Sequence, residues 1–108
     1  MAQLRDLIDA TGDEAKEFIK SSLLDLIKEA KSETESVVKE TGEKIEKWLV
    51  FKLEGEIDSD ELEALLNTRR RVIRQFLNSQ EIATRARLEK ITTGLIDLVL
   101  NKALDAII

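Results

Sequence analysis

"LEGEIDSDELEALL", residues 53 to 66, is where the chain changes direction. Gly55 supplies a residue that takes up the left-handed backbone of a turn without steric cost. Asp58 followed three positions later by Glu61 has the reciprocal spacing of a capping box, and Ile57 is placed to staple onto Leu62. One helix therefore ends near residue 53 and another begins near 58. The chain has no proline and only four glycines, so little else interrupts regular structure. Its 108 residues read as a single all-α domain, residues 1–108. Two helical arms, about 3–53 and 58–107, form a long antiparallel hairpin turning at 54–57.

Working outward, the first arm carries an eleven-residue rhythm: ATGDEAKEFIK, SSLLDLIKEAK, SETESVVKETG, EKIEKWLVFKL, over residues 10–53. Leu4, Ala15, Leu26, Val37 and Trp48 share one phase, and Ile8, Ile19 and Ala30 another. Eleven residues in three turns is about 3.67 per turn, near an undistorted helix, so the apolar stripe stays on one side. The spacing predicts a nearly straight amphipathic helix. Gly12 and Gly42 weaken it by roughly 1 kcal/mol each, which need not end it, and "TGDE" at 11–14 offers an alternative helix start, with Thr11 as cap and Glu14 closing a capping box.

In the second arm Leu62, Leu65, Leu66, Val72, Ile73, Phe76 and Leu77 form one face. "NSQE" at 78–81 pairs Asn78 with Glu81 as a second cap, and Ile82 leaves the stripe, so a break is expected there. The last helix is apolar on two sides: Leu95, Leu98 and Val99 on one, Ile96, Leu100 and Ile107 on the other. It needs two neighbours. Fully helical arms would run roughly 60 to 75 Å, and a lone pair of that length leaves its flanks exposed. Either the arms fold back at 11–12 and 78–81 into a short bundle, or two copies dimerise into a multi-helix bundle. The reading favours the dimer. Leu26, Val37, Ile45, Trp48, Leu65, Ile73, Phe76, Ile91, Leu95 and Leu98 are the expected packing residues.

Charge is unevenly spread. Residues 1–66 hold nine Lys/Arg against eighteen Asp/Glu, a net of −9; residues 67–108 hold eight against four, a net of +4; together they make the formal −5. Six of the seven arginines lie between 69 and 87, four of them in "NTRRRVIRQF" at 67–76. With the arms antiparallel, facing positions sum to about 110. That brings Arg69 and Arg70 toward Glu40 and Glu43, Arg74 toward Glu33 and Glu35, and Arg85 toward Asp25. At 100° per residue Arg69 falls within the stripe of Leu62, Leu66 and Ile73, while Arg70, Arg71 and Arg74 point away. An arginine on an apolar face calls for a partner, here Glu40 or Glu43. A cluster of this kind also grips nucleic acid. The acidic first arm and the absence of tyrosine argue against that use.

Chemistry has little to work with. Without histidine or cysteine there is no activated serine, thiolate metal site, disulfide or Glu-x-x-His di-metal centre. "TTG" at 92–94 and "ETGEK" at 40–44 lack the P-loop spacing. No catalytic residue, cofactor or metal is expected, and the protein is read as no enzyme. "GEIDSDELEALL" resembles the exit half of an EF-hand loop through Gly55, Ile57, Asp58 and Glu61. The first, third and fifth loop positions would be Val50, Lys52 and Glu54, where that family needs oxygen ligands at all three. The glycine turn and capped helix account for the matching residues.

The eleven-residue periodicity resembles that of apolipoproteins, synucleins and late-embryogenesis-abundant proteins, which implies a lipid-surface role with Trp48 and Phe51 as interfacial anchors. That is the runner-up reading. "MAQLRDLIDA" lacks the basic and apolar regions of a signal peptide, and "GLIDLVLNKALDAII" carries Asp97, Lys102 and Asp105, so a cytoplasmic protein is expected. The leading expectation is a structural or scaffolding protein that homo-oligomerises through its amphipathic helices, as a subunit or adaptor of a larger assembly.

Overall fold

A computed structural model describes residues 17–103, and every regular element among them is a helix. These are α1 (Glu17–Lys31), α2 (Ser36–Leu53), α3 (Ser59–Leu77) and α4 (Ile82–Leu98), the last running on into a π-helical turn over Val99–Ala103. The all-α helical bundle expected of the sequence is what forms.

The central turn is built as its residues dictate. Gly55 has φ of +80°, the Glu56 N–H donates to Phe51 O (2.8 Å) and the Gly55 N–H to Lys52 O (3.1 Å). This is a Schellman closure of α2 with glycine at the left-handed position. Three residues later Asp58 Oδ1 accepts from the Glu61 N–H (2.8 Å) while Glu61 Oε1 accepts from the Asp58 N–H (3.1 Å), the reciprocal box that opens α3.

The first arm is not straight. It breaks at 32–35, between α1 and α2, inside the polar run "KSETES" of residues 31–36. Ser32, the first residue past α1, closes its last turn: its hydroxyl donates to Lys28 O (2.7 Å), as does its N–H (3.1 Å). Serine and threonine compete for backbone partners in this way, which weakens a helix interior. The larger cause lies across the turn. Gly42 faces Ala30 so closely that a Cβ on it would sit 2.8 Å from Ala30 Cβ and 3.1 Å from the Lys31 nitrogen. The glycine read as a weak point of a long helix is the seat on which α1 folds back.

The second arm breaks at 78–81, where the apolar stripe shifts. The capping differs from the expected pattern. Asn78 terminates α3 in a right-handed helical conformation, and Glu81 precedes α4 without a side-chain cap. Ile82 is 77% exposed and Val72, placed on the apolar face from sequence, is 41% exposed.

Each helix packs on the next and α4 returns to α1; α4 also touches α2 across the centre. With connections of only a few residues this is an up-and-down four-helix bundle, 41 × 26 × 25 Å in extent. The two-sided apolar character of α4 is met by its three neighbours. Buried stripes run along Leu23, Ile27 and Ala30 of α1; Val38, Ile45 and Leu49 of α2; Leu62, Leu66, Ile73 and Leu77 of α3; and Leu88, Ile91, Leu95, Ile96 and Val99 at α4.

Of the expected packing residues, Ile45, Ile73, Ile91 and Leu95 are buried; Leu26, Trp48, Phe76 and Leu98 are half-buried against the core; Val37 and Leu65 are half-buried at its edge. The eleven-residue phase is present but displaced by one: the fully buried line is Ile27, Val38, Leu49, not Leu26, Val37, Trp48. The expectations for Leu4, Ile8, Ala15, the Thr11 cap, a break at 11–12 and the arm ends at 3–16 and 104–107 lie outside the described residues.

Candidate functional site

The arginine run divides by helical angle. Arg69 follows Leu66 and precedes Ile73 on the buried stripe of α3 and is 9% exposed; Arg71 and Arg74 face solvent; Arg70 lies between. Arg69 reaches α2, where its Nε donates to Thr41 Oγ1 (2.9 Å) and an Nη donates to the Val37 carbonyl (3.0 Å). Thr41 Oγ1 itself donates to Val37 O (2.7 Å), so the three groups close a ring. Burial pushes the Arg69 guanidinium below its usual pKa, and the negative charge of Glu40 opposes that shift.

The expected carboxylate partner is thus a threonine hydroxyl and a main-chain carbonyl, with Glu40 acting only at a distance. Glu40 and Glu43 are exposed and line a shallow groove beside Lys44, Lys47 and Trp48. Neither hydrogen-bonds an arginine among the described residues. The facing rule still places Arg69 correctly, since Thr41 is its partner position in antiparallel α2 and α3. Charge patterning does not single out Thr41, although a threonine one turn after Val38 and one before Ile45 signals a polar group in the core.

Arg70 turns to α4 and pairs with Asp97, a partner that only the break at 78–81 brings within reach. Arg87 donates to Glu33 Oε2 (2.6 Å), tying α4 to the 32–35 turn. The expected approaches of Arg74 to Glu33 and Glu35 and of Arg85 to Asp25 belong to straight arms and are not made. Arg74 and Arg85 instead converge with Arg70 on a cleft of about 150 Å³ between α3 and α4, completed by Leu77, Asn78, Glu89 and Thr93. Lys31 and Glu46 join α1 to α2 (2.8 Å).

Among the described residues no group of acidic side chains is disposed to hold a metal ion, and no helix is long and apolar enough to cross a membrane. Comparison with protein-family models, curated proteins and solved structures finds no match to the chain.

Proposed function

We propose that the chain is a non-enzymatic scaffolding protein that associates with further copies of itself by exchanging α1 between bundles. The observation that carries this is the continuity of the buried stripe through the 32–35 turn. Leu23, Ile27, Ala30, Val38, Thr41, Ile45 and Leu49 keep intervals of three or four residues, with only Thr34 standing where an apolar residue would fall. A straightened turn therefore leaves one largely apolar face from α1 into α2, interrupted at Thr34 and Thr41.

Beyond the Ser32 cap on Lys28 O and the exposed Arg87–Glu33 pair, little holds the turn shut. It contains no glycine or proline, and Glu35 makes no side-chain cap to α2. In a straightened arm α1 no longer reaches its own bundle, and its face fits the vacated place in a second copy. Every core contact is then recovered between chains, which makes exchange of an identical element a low-cost route to a dimer. The contacts recovered are apolar, so the association should withstand salt.

The test is absolute mass by light scattering on a sizing column, at about 0.15 M and about 1 M salt. A salt-resistant dimer is expected, increased by Thr34→Leu, which fills the gap in the stripe, and reduced by Thr34→Gly, which disfavours helix through the turn. Monomer for all three proteins across the accessible concentration range overturns the reading.

A further inference from the structure

We infer that the α3–α4 cleft walled by Arg70, Arg74 and Arg85 is a binding site for a tetrahedral oxyanion, a phosphate or phosphate monoester. The three arginines come from two helices and line one cleft only because the chain reverses at 78–81. Against them the wall carries one carboxylate, Glu89, and Asp97 lies at the side occupied by Arg70. The local balance is positive in a chain whose formal net charge is −5. Neither Arg74 nor Arg85 forms an ion pair among the described residues.

A second observation points to a missing acceptor. Arg70 Nε is buried and has no hydrogen-bond partner, although Arg70 Nη2 is taken by Asp97. Buried donors in folded proteins are nearly always satisfied, so a side chain that lines the cleft carries a donor still without an acceptor. Asn78 and Thr93 add an amide and a hydroxyl to the same wall. A tetrahedral ion uses donors arriving from several directions, whereas a planar carboxylate is served by one guanidinium fork.

The space of about 150 Å³ suits an ion or a single phosphoryl group and is well below the 300 Å³ or more, roughly, of sites for larger organic ligands. The site draws on residues of α3, α4 and the turn between them, so it does not depend on exchange of α1.

The experiment is a ¹H–¹⁵N NMR titration of the full chain, following arginine Nε–Hε and backbone resonances. Inorganic phosphate, sulfate and glycerol 3-phosphate are each compared with sodium chloride at matched ionic strength, near pH 7.5. Saturable shifts of Arg70 Hε and of the Asn78 and Thr93 amides with the oxyanions, and not with chloride, are expected. An Arg74→Gln/Arg85→Gln variant with an unchanged helical spectrum should bind at least tenfold more weakly. Response to glycerol 3-phosphate as well as inorganic phosphate identifies an opening that admits a monoester; response to the inorganic ions alone restricts the site to the free anion. Non-saturating shifts, equal shifts with chloride, equal responses at Arg71, or unchanged affinity in the variant overturn the inference.

Discussion

Arg69 shows what a single charge does inside this core. Its guanidinium is held by Thr41 Oγ1 and Val37 O, neutral acceptors that offset part of the cost of removing a cation from water. Replacing Thr41 by valine keeps the shape and leaves Arg69 Nε unpaired, so a loss of about 1 to 3 kcal/mol is expected from urea unfolding. Replacing Arg69 by methionine removes charge and orphan together, and stability should hold or rise by about 1 kcal/mol. With both changes the valine becomes nearly neutral, giving a coupling of about 1 kcal/mol or more in the double-mutant cycle. Additive effects would deny that these side chains form one unit. The buried position of Arg69 was legible because it rests on helical angle alone. Its partner was not, because threonine and a carbonyl leave no mark in charge patterning.

For the elements, α1 and α2 approach tightly at Ala30 and Gly42. Gly42→Ala would gain roughly 1 kcal/mol of helix propensity, yet its new methyl would meet Ala30 Cβ at 2.8 Å and the Lys31 nitrogen at 3.1 Å. The backbone atom cannot step aside, and overpacking of this kind costs about 1 to 3 kcal/mol. A net loss is expected in urea unfolding, with Ala30→Gly in the same chain restoring part of it. Stabilisation by Gly42→Ala would mean that the two helices do not seat on this glycine. The turn at 54–57 and the break at 78–81 were readable from glycine, the capping box and the shift of the apolar stripe. The break at 32–35 was not, because the hydrophobic period runs straight through it. Polar residues without glycine or proline are a weak signal against eleven-residue continuity. The one-residue offset of the stripe has a related source: Leu26, Val37 and Trp48 form the edge of the same buried face whose centre is Ile27, Val38 and Leu49.

At the scale of the whole molecule, folding back at 32–35 and at 78–81 converts a hairpin of roughly 60 to 75 Å into a body 41 Å long; the break at 78–81 brings Asp97 to Arg70, and the two breaks together bring Glu33 to Arg87. Those pairs depend on which helices become neighbours, something no residue spacing within an arm discloses. The two inner turns of α2 are unlike. At its start Glu35 offers no side-chain cap; at its end the Schellman closure and the capping box stand almost back to back between Phe51 and Glu61. A turn stabilised by its own local contacts forms before distant contacts exist to support it, since little loop entropy is lost in closing it. These local contacts predict an order of assembly in which α2 and α3 clasp first about Gly55 and Asp58 and α1 docks late. Asp58→Ala, a loss of about 1 kcal/mol, should slow refolding nearly in proportion to the stability lost, whereas Gly42→Ala should mainly speed unfolding, as chevron kinetics of the two variants would show. The reverse pattern would put α1 in the nucleus. On that order α1 is the segment still unplaced as the C-terminal half leaves the ribosome, so the exchange proposed above would belong to that stage, before the bundle closes on its own α1.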